Sequence, residues 1–304
     1  MFRNRTILMC IAILAVIFYH LALRGIPIGR LNVGYAGVDV FMLLSGYGIG
    51  KSLMKNSVKQ FYMNRIRRIL PLWFLMIIVA TGIKYFNTDV DILSCVLGFL
   101  FDVSTLSFYI NPDSLPEWYL AALILFYIIS PLYKYLLKKT GWTLLIMISV
   151  IIFLYSTIVG TTVWQYACAI PRFPLFLFGL TCAVKNKENV SYYITIPLFI
   201  LGIYYFFQNS HYIFSACCIL LCVQMANNVI DKTKFFYKVI FNWIGTHTLE
   251  IYVANVLSAV IIRYFIITNE HLVMILSDIF LTVILSILLW KINSFIQEQL
   301  IKHD

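Results

Sequence analysis

His20 closes the run Ile17-Phe18-Tyr19-His20, near the end of an apolar stretch that begins at about Ile7. An ionisable group inside an apolar segment costs about 3 kcal/mol or more unless it is paired or hydrated, so each one is a candidate functional residue. Apolar neighbours disfavour the charged ring, and a neutral imidazole can accept a proton from a hydroxyl or act as a nucleophile. Position alone leaves open a structural histidine that hydrogen-bonds across helices. Asp39 starts the next apolar run, Gly37-Val38-Asp39-Val40-Phe41-Met42-Leu43-Leu44-Ser45-Gly46-Tyr47. If the first helix runs outward and the second returns, His20 and Asp39 lie on the same side. There a carboxylate on one ring nitrogen would orient the imidazole and stabilise its protonated form. The alternative is that Asp39 caps its own helix, where the dipole favours a negative charge.

Arg172 stands between Pro171 and Pro174 at the start of a third apolar run. It must hydrogen-bond either carbonyls freed by the prolines or a buried anion. Glu250 and Asn255 can line the same polar interior, although Glu250 fits equally well as the partner of a nearby cation. The densest basic segment, Gln60 to Pro71, carries Arg65, Arg67 and Arg68 just ahead of an expected helix. Bidentate guanidinium donors suit the phosphates of a nucleotide-containing cofactor, while anchoring to anionic headgroups requires the same residues. Ser45 reads as a small helix-packing residue together with Gly46, Gly48 and Gly50 rather than as a nucleophile.

The elements that must position these groups are membrane spans. The 304 residues are 62% hydrophobic, and the mean hydropathy is +0.88. A spanning helix takes about 20 apolar residues, so roughly ten of them and short connections consume the chain. The fold class is therefore all-α: a polytopic integral membrane helical bundle of about ten transmembrane helices in one domain, residues 1–304. Spans are expected at 7–24, 37–54, 69–84, 118–137, 143–160, 167–184, 192–207, 212–229, 243–264 and 272–295. The run 91–109, interrupted by Asp102, Ser104 and Thr105, reads as a short span or a re-entrant segment. The net charge of +10 falls in clusters between the runs, among them Arg3 and Arg5, Lys51 to Arg68, Lys134 to Lys139, Lys185 and Lys187, and Lys232, Lys234 and Lys238. Placing them all inside gives ten crossings with both termini cytoplasmic, provided 91–109 does not cross. Anionic lipid and topology account for this charge, so nucleic acid is not an expected partner. The seven cysteines show no metal-ligand spacing, and no metal is expected. The first apolar run lacks a cleavage signature and is expected to remain as helix 1.

Taken in order, these stretches resemble the acyltransferase-3 family. The resemblance rests on the Tyr19-His20 pair, the Gly37 to Tyr47 helix, Phe61-Tyr62 to Pro71, Trp118-Tyr119-Leu120 with Phe126-Tyr127 and Ser130-Pro131, Arg172 to Gly179, and Ile244 to Tyr252. It implies an enzyme, an O-acyltransferase of the bacterial cytoplasmic membrane. Such an enzyme moves an acyl group, most often acetyl, from cytoplasmic acetyl-CoA or another short acyl-CoA to a hydroxyl of an extracytoplasmic carbohydrate. By this resemblance His20 is the catalytic histidine, as base or acyl carrier, with Asp39 in support. Arg65, Arg67 and Arg68 bind the acyl-CoA, while Arg172, Glu250, Asn255, Tyr19 and Ser45 line the substrate cavity. The chain departs from the family pattern at Met9, where relatives often carry Arg, and at Asn255, where they often carry His. A Ser-x-x-Glu pattern common in relatives is also missing. Membrane lipids and an envelope polysaccharide or sugar are the implied partners. With no appended hydrolase-like domain expected, one polypeptide performs the whole transfer. A competing reading is a transporter or flippase for a lipid-linked or acylated sugar, which should show inverted repeats that this sequence lacks. A catalytically lapsed member of the family is another.

Overall fold

Apolar runs of this length bury their backbone polar groups most economically as helices, and a computed structural model of the chain forms them throughout. It describes residues 2–23, 34–110, 118–159, 168–207, 211–232, 238–266 and 270–302, and among these there is no strand. Lys234 and positions 24, 160 and 167, at the ends of three expected spans, lie outside the described residues. The helices are α1 (Arg5–Leu23), α2 (Ala36–Lys55), α3 (Val58–Asn87), α4 (Ile92–Val103), α5 (Ser107–Ile110), α6 (Trp118–Thr140) and α7 (Trp142–Leu154). They continue with α8 (Phe173–Val184), α9 (Tyr192–Phe207), α10 (His211–Lys232), α11 (Lys238–Thr246), α12 (Thr248–Phe265) and α13 (His271–Lys302). Five of them, α1, α3, α6, α12 and α13, are long and apolar enough to cross a membrane.

The chain divides into two units, one of Met1–Val16, Val33–Val58 and Ala122–Thr246, the other of Ile17–Asn32, Lys59–Ala121 and His247–Asp304. The centre of the first is α2 packed on α8. Their backbones touch: a Cβ on Gly46 would lie 1.9 Å from the carbonyl oxygen of Phe176, and one on Gly179 would lie 2.1 Å from that of Leu43. Gly50, one turn after Gly46, would meet Ala183 at 2.5 Å. This is the small-residue spacing by which helices associate where no hydrophobic effect drives them together. Ser45 sits half-buried beside these glycines. Helix α10 carries Gln224 into the same unit, where Thr195 and the carbonyl of Val190 on and before α9 satisfy its amide.

In the second unit α12 packs along α13. Two expectations are revised here. The arginine cluster lies on the first turns of α3 itself, which starts at Val58 rather than near residue 69. Pro71 sits inside this helix and has no N–H for the carbonyl four residues back, that of Arg67. The side-chain amide of Gln297 on α13 donates to that carbonyl at 2.5 Å, so the helix continues through the proline. The expected span 243–264 is two helices, α11 and α12, that meet at His247. Gly245 lies on the α11 side of this break, its backbone so close to Thr6 that a Cβ would stand 1.9 Å from that residue's carbonyl oxygen. The segment expected at 91–109 forms α4, 12 residues long, and the single turn α5. At 1.5 Å per residue α4 is about 18 Å long, short of the roughly 30 Å hydrocarbon layer. Its C-terminal end is tied down by the indole of Trp73, which donates to the carbonyl of Val103 at 3.0 Å.

The α2–α8 contact gives a direct test. Gly46→Ala forces the backbones apart and should cost about 1–3 kcal/mol, read as a lower midpoint of thermal unfolding in detergent. Gly82→Ala on α3, where an added Cβ meets nothing within 4 Å, should leave that midpoint unchanged or raise it.

Candidate functional site

In the second unit, Asn255 on α12 reaches the imidazole of His20: His20 Nδ1 and Asn255 Oδ1 are 2.5 Å apart. A carboxamide oxygen only accepts, so Nδ1 carries the proton and, in the neutral ring, Nε2 is left with its lone pair. The amide is held from its other end, where Asn255 Nδ2 donates to Thr282 Oγ1 on α13 at 3.4 Å. Asn255 and Thr282 are both buried, and His20 and its neighbour Tyr19 are half-buried. The Tyr19 and His20 rings lie 5.8 Å apart. One turn along α12 from Asn255, the hydroxyl of Ser258 donates to the fully buried carboxylate of Asp278 at 2.5 Å. A histidine oriented in this way can take a proton at Nε2 or attack an acyl carbon with it.

In the first unit, Asp39 and Arg172 form a pair. Nε of Arg172 donates to Oδ1 of Asp39 at 3.0 Å and Nη2 donates to Oδ2 at 3.3 Å, a fork that matches the carboxylate plane. Two further guanidinium donors go to backbone: Nη1 to the carbonyl of Cys168 at 2.7 Å and Nη2 to that of Tyr35 at 3.2 Å. Both side chains are essentially inaccessible, 0% and 1% exposed. Arg172 therefore meets both demands read from its proline-flanked position, a buried anion and free carbonyls. Asp39 lies in the first turn of α2, and the group it orients is the guanidinium. Sequence reasoning left Asp39 between orienting His20 and capping its own helix; within the second unit, a side chain that meets Nδ1 of His20 is that of Asn255.

The arginine segment presents its donors in different settings. Arg65 is half-buried with its guanidinium over the ring of the fully buried Phe61, 5.7 Å from its centre, and Arg68 is exposed. Arg67 is anchored through its carbonyl by Gln297. Gln297 also donates to Asn293 Oδ1, and Asn293 in turn donates to Oε1 of Glu250 at 2.7 Å. Glu250 thus joins an amide ladder. Arg5, one turn before Met9, lays its guanidinium over Gly48 of α2, where a Cβ would stand 3.0 Å from it.

Sequence reasoning missed the partners on α13: Asp278, Thr282, Asn293 and Gln297. Their signal was present. Polar residues at 278, 282, 286, 293 and 297 recur at multiples near the helical period inside an otherwise apolar run, and they mark one face.

Comparison with known proteins adds a lineage. A family model described as an acyltransferase domain matches residues 7–291. A protein of Acidianus two-tailed virus, named provisionally as an acetyltransferase, is 31% identical over 198 residues, covering 60% of this chain and 58% of that one. The peptidoglycan O-acetyltransferase OatA of Listeria monocytogenes is 39% identical over 80 residues, 24% of this chain and 12% of its own. A Staphylococcus aureus protein, provisionally an O-acetyltransferase by name, is 24% identical over 193 residues, 61% of this chain and 26% of its own. The chain thus spans between about an eighth and under two thirds of the length of these relatives. No solved structure matches.

The buried ion pair predicts a specific pattern of stability. Arg172→Met leaves the Asp39 carboxylate uncompensated and should destabilise by about 3–5 kcal/mol in thermal or denaturant unfolding. Adding Asp39→Asn to Arg172→Met should recover much of that loss, because no lone buried charge then remains.

Proposed function

Because the chain belongs to the acyltransferase-3 family, whose acyltransferase domain it matches over residues 7–291, we propose that it transfers an acyl group to a hydroxyl and that His20 carries the chemistry. The observation behind this reading is the 2.5 Å contact between His20 Nδ1 and Asn255, which leaves Nε2 as the basic nitrogen. In the base mechanism, the acceptor's O–H bond breaks and its proton moves to Nε2. The oxygen attacks the thioester carbonyl, the C–S bond breaks, and the departing thiolate takes the proton back from the imidazolium. In the carrier mechanism Nε2 itself attacks the thioester and thiolate leaves; the acceptor oxygen then displaces the imidazole, and the acceptor's proton ends on the released thiolate. Both routes use the same nitrogen and consume one acyl thioester for each ester formed.

The donor we propose is acetyl-CoA or another short acyl-CoA, bound by Arg65, Arg67 and Arg68. Guanidinium groups beside an aromatic face suit a nucleotide diphosphate, and the density of positive charge in this segment supports a cytoplasmic location. The acceptor we propose is an extracytoplasmic carbohydrate. The name of the Listeria relative makes a peptidoglycan-type glycan the first acceptor to test. Tyr19, half-buried beside His20, is suited to contact the reacting sugar. Arg172 and Asp39 form a fixed neutral pair within the first unit rather than acting as proton carriers. The protein works as a multi-pass protein of the bacterial cytoplasmic membrane, a reading supported by the five long apolar helices.

Purified protein in detergent, given acetyl-CoA and an envelope glycan fraction, should release free CoA thiol in a glycan-dependent manner. His20→Ala should lower that rate by about 10²- to 10⁴-fold. Glycan transport without thiol release would overturn the enzyme reading in favour of a carrier. Asn255→Leu frees the imidazole to adopt the other tautomer and should reduce kcat by roughly tenfold or more with KM for acetyl-CoA little changed.

A further inference from the structure

A proline separates the arginine segment from the rest of its own helix. Phe61, Arg65, Arg67 and Arg68 precede Pro71 on α3, and the buried Leu72, Trp73, Met76 and Ile77 follow it. A proline inside a helix removes one backbone hydrogen bond and bends the axis, commonly by more than about 20°. Arg65 lies six residues before Pro71, roughly 9 Å along the axis, so a bend of that size would carry it sideways by about 3 Å. A phosphate held by guanidinium forks does not tolerate such a displacement, because charge-assisted contacts span only about 2.7–2.9 Å. Where the three arginines point therefore depends on what α3 does at Pro71.

Gln297 on α13 acts at this point. The carbonyl that would ordinarily bond the N–H of residue 71 is that of Arg67, and a carbonyl only accepts, so the atom facing it at 2.5 Å is the amide nitrogen of Gln297. The same Nε2 donates to Asn293 Oδ1 at 3.4 Å, and Asn293 Nδ2 donates to the Glu250 carboxylate at 2.7 Å. Each step fixes the next. A carboxylate only accepts, which turns the Asn293 nitrogen toward Glu250, its oxygen toward Gln297, and the Gln297 nitrogen toward α3. Glu250 and Asn293 are buried, so the ladder holds the amide in one orientation. An ordinary residue at 71 would close the helix by itself, so Pro71 and Gln297 form a matched pair.

We propose that Gln297 is a positioning residue for the acyl donor: its amide takes the place of the N–H that Pro71 lacks, keeps α3 continuous there, and so fixes Arg65, Arg67 and Arg68 against the phosphates of acyl-CoA. This rests on the reading that these arginines bind acyl-CoA. Gln297 acts through the backbone of α3 and takes no part in the chemistry at His20.

The test uses the full chain in detergent with acetyl-CoA and the glycan fraction. Gln297→Met keeps the length of the side chain and removes the donor. KM for acetyl-CoA should rise about tenfold with kcat little changed, whereas a loss of folded protein would lower the apparent kcat instead. The decisive comparison is in Pro71→Ala, where the restored N–H bonds the Arg67 carbonyl directly. There Gln297→Met should change KM by less than about twofold, a non-additivity that a general structural role for Gln297 would not produce. Should Gln297→Met not fold, Gln297→Asn, whose amide is one methylene too short to reach, takes its place with the same expected pattern. A wild-type KM in the folded Gln297 variant, or a rise that persists undiminished in Pro71→Ala, overturns the assignment. Arg65→Gln combined with Arg68→Gln tests the underlying reading separately. A wild-type KM for acetyl-CoA there overturns the donor site itself, whereas a raised KM beside an unchanged Gln297 variant overturns the positioning role alone.

Discussion

A polar group in the hydrocarbon layer of a bilayer has no water to bond to, so every donor, acceptor and charge there must find its partner within the protein. This constraint organises the whole molecule. It explains why a proline is tolerated inside α3, because Gln297 replaces the hydrogen bond that Pro71 removes from the Arg67 carbonyl. It explains why Arg172 divides its donors between Asp39 and two backbone carbonyls, with both side chains closed off from the surface. The same rule forces α2 and α8 together on glycines, since apolar contact with lipid is as favourable as apolar contact with another helix and only close packing distinguishes the two.

Asp39 and His20 answer the constraint in different ways. Asp39 is neutralised directly, by a guanidinium that matches it in charge and shape, and such a pair holds structure in one arrangement. His20 is given a neutral partner instead. A neutral partner leaves the ring free to change its protonation state, which a directly bound carboxylate would bias more strongly toward the cation. On the mechanism proposed above, in which His20 gains and loses a proton during each turnover, an amide that sets the tautomer serves better than a permanent ion pair.

Helix α13 carries both ends of this design on one face. Near its start, Asp278 and Thr282 attend to α12 around Asn255; toward its end, Asn293 and Gln297 attend to Glu250 and the arginine segment. Its other face displays Leu272, Leu276, Ile279, Phe280, Val283, Ile287 and Phe295 outward, an apolar band of the kind that belongs against lipid. The amphipathy is inverted relative to a helix of a water-soluble protein, with the polar stripe inside.

Local chemistry made much of this readable from the residues in order. Apolar length fixed the helical class, because backbone groups in such runs can be satisfied only within a helix. Ionisable residues in those runs singled out His20, Asp39, Arg172 and Glu250, and the proline-flanked setting of Arg172 already demanded an anion or free carbonyls. Pairing was decided elsewhere. Asp39 joins Arg172, 133 residues away, and His20 joins Asn255, 235 residues away. No local periodicity encodes which of several polar faces will meet across such separations. The break at His247 and the start of α3 at Val58 were hidden for the same reason: each depends on a backbone approach or a hydrogen bond supplied by a distant segment, Thr6 in one case and Gln297 in the other. The sequence by itself determined which groups could not be left alone in an apolar interior. Only the tertiary structure decided which partner each would have, because hydrogen bonds act over a few ångströms in space and not along the chain.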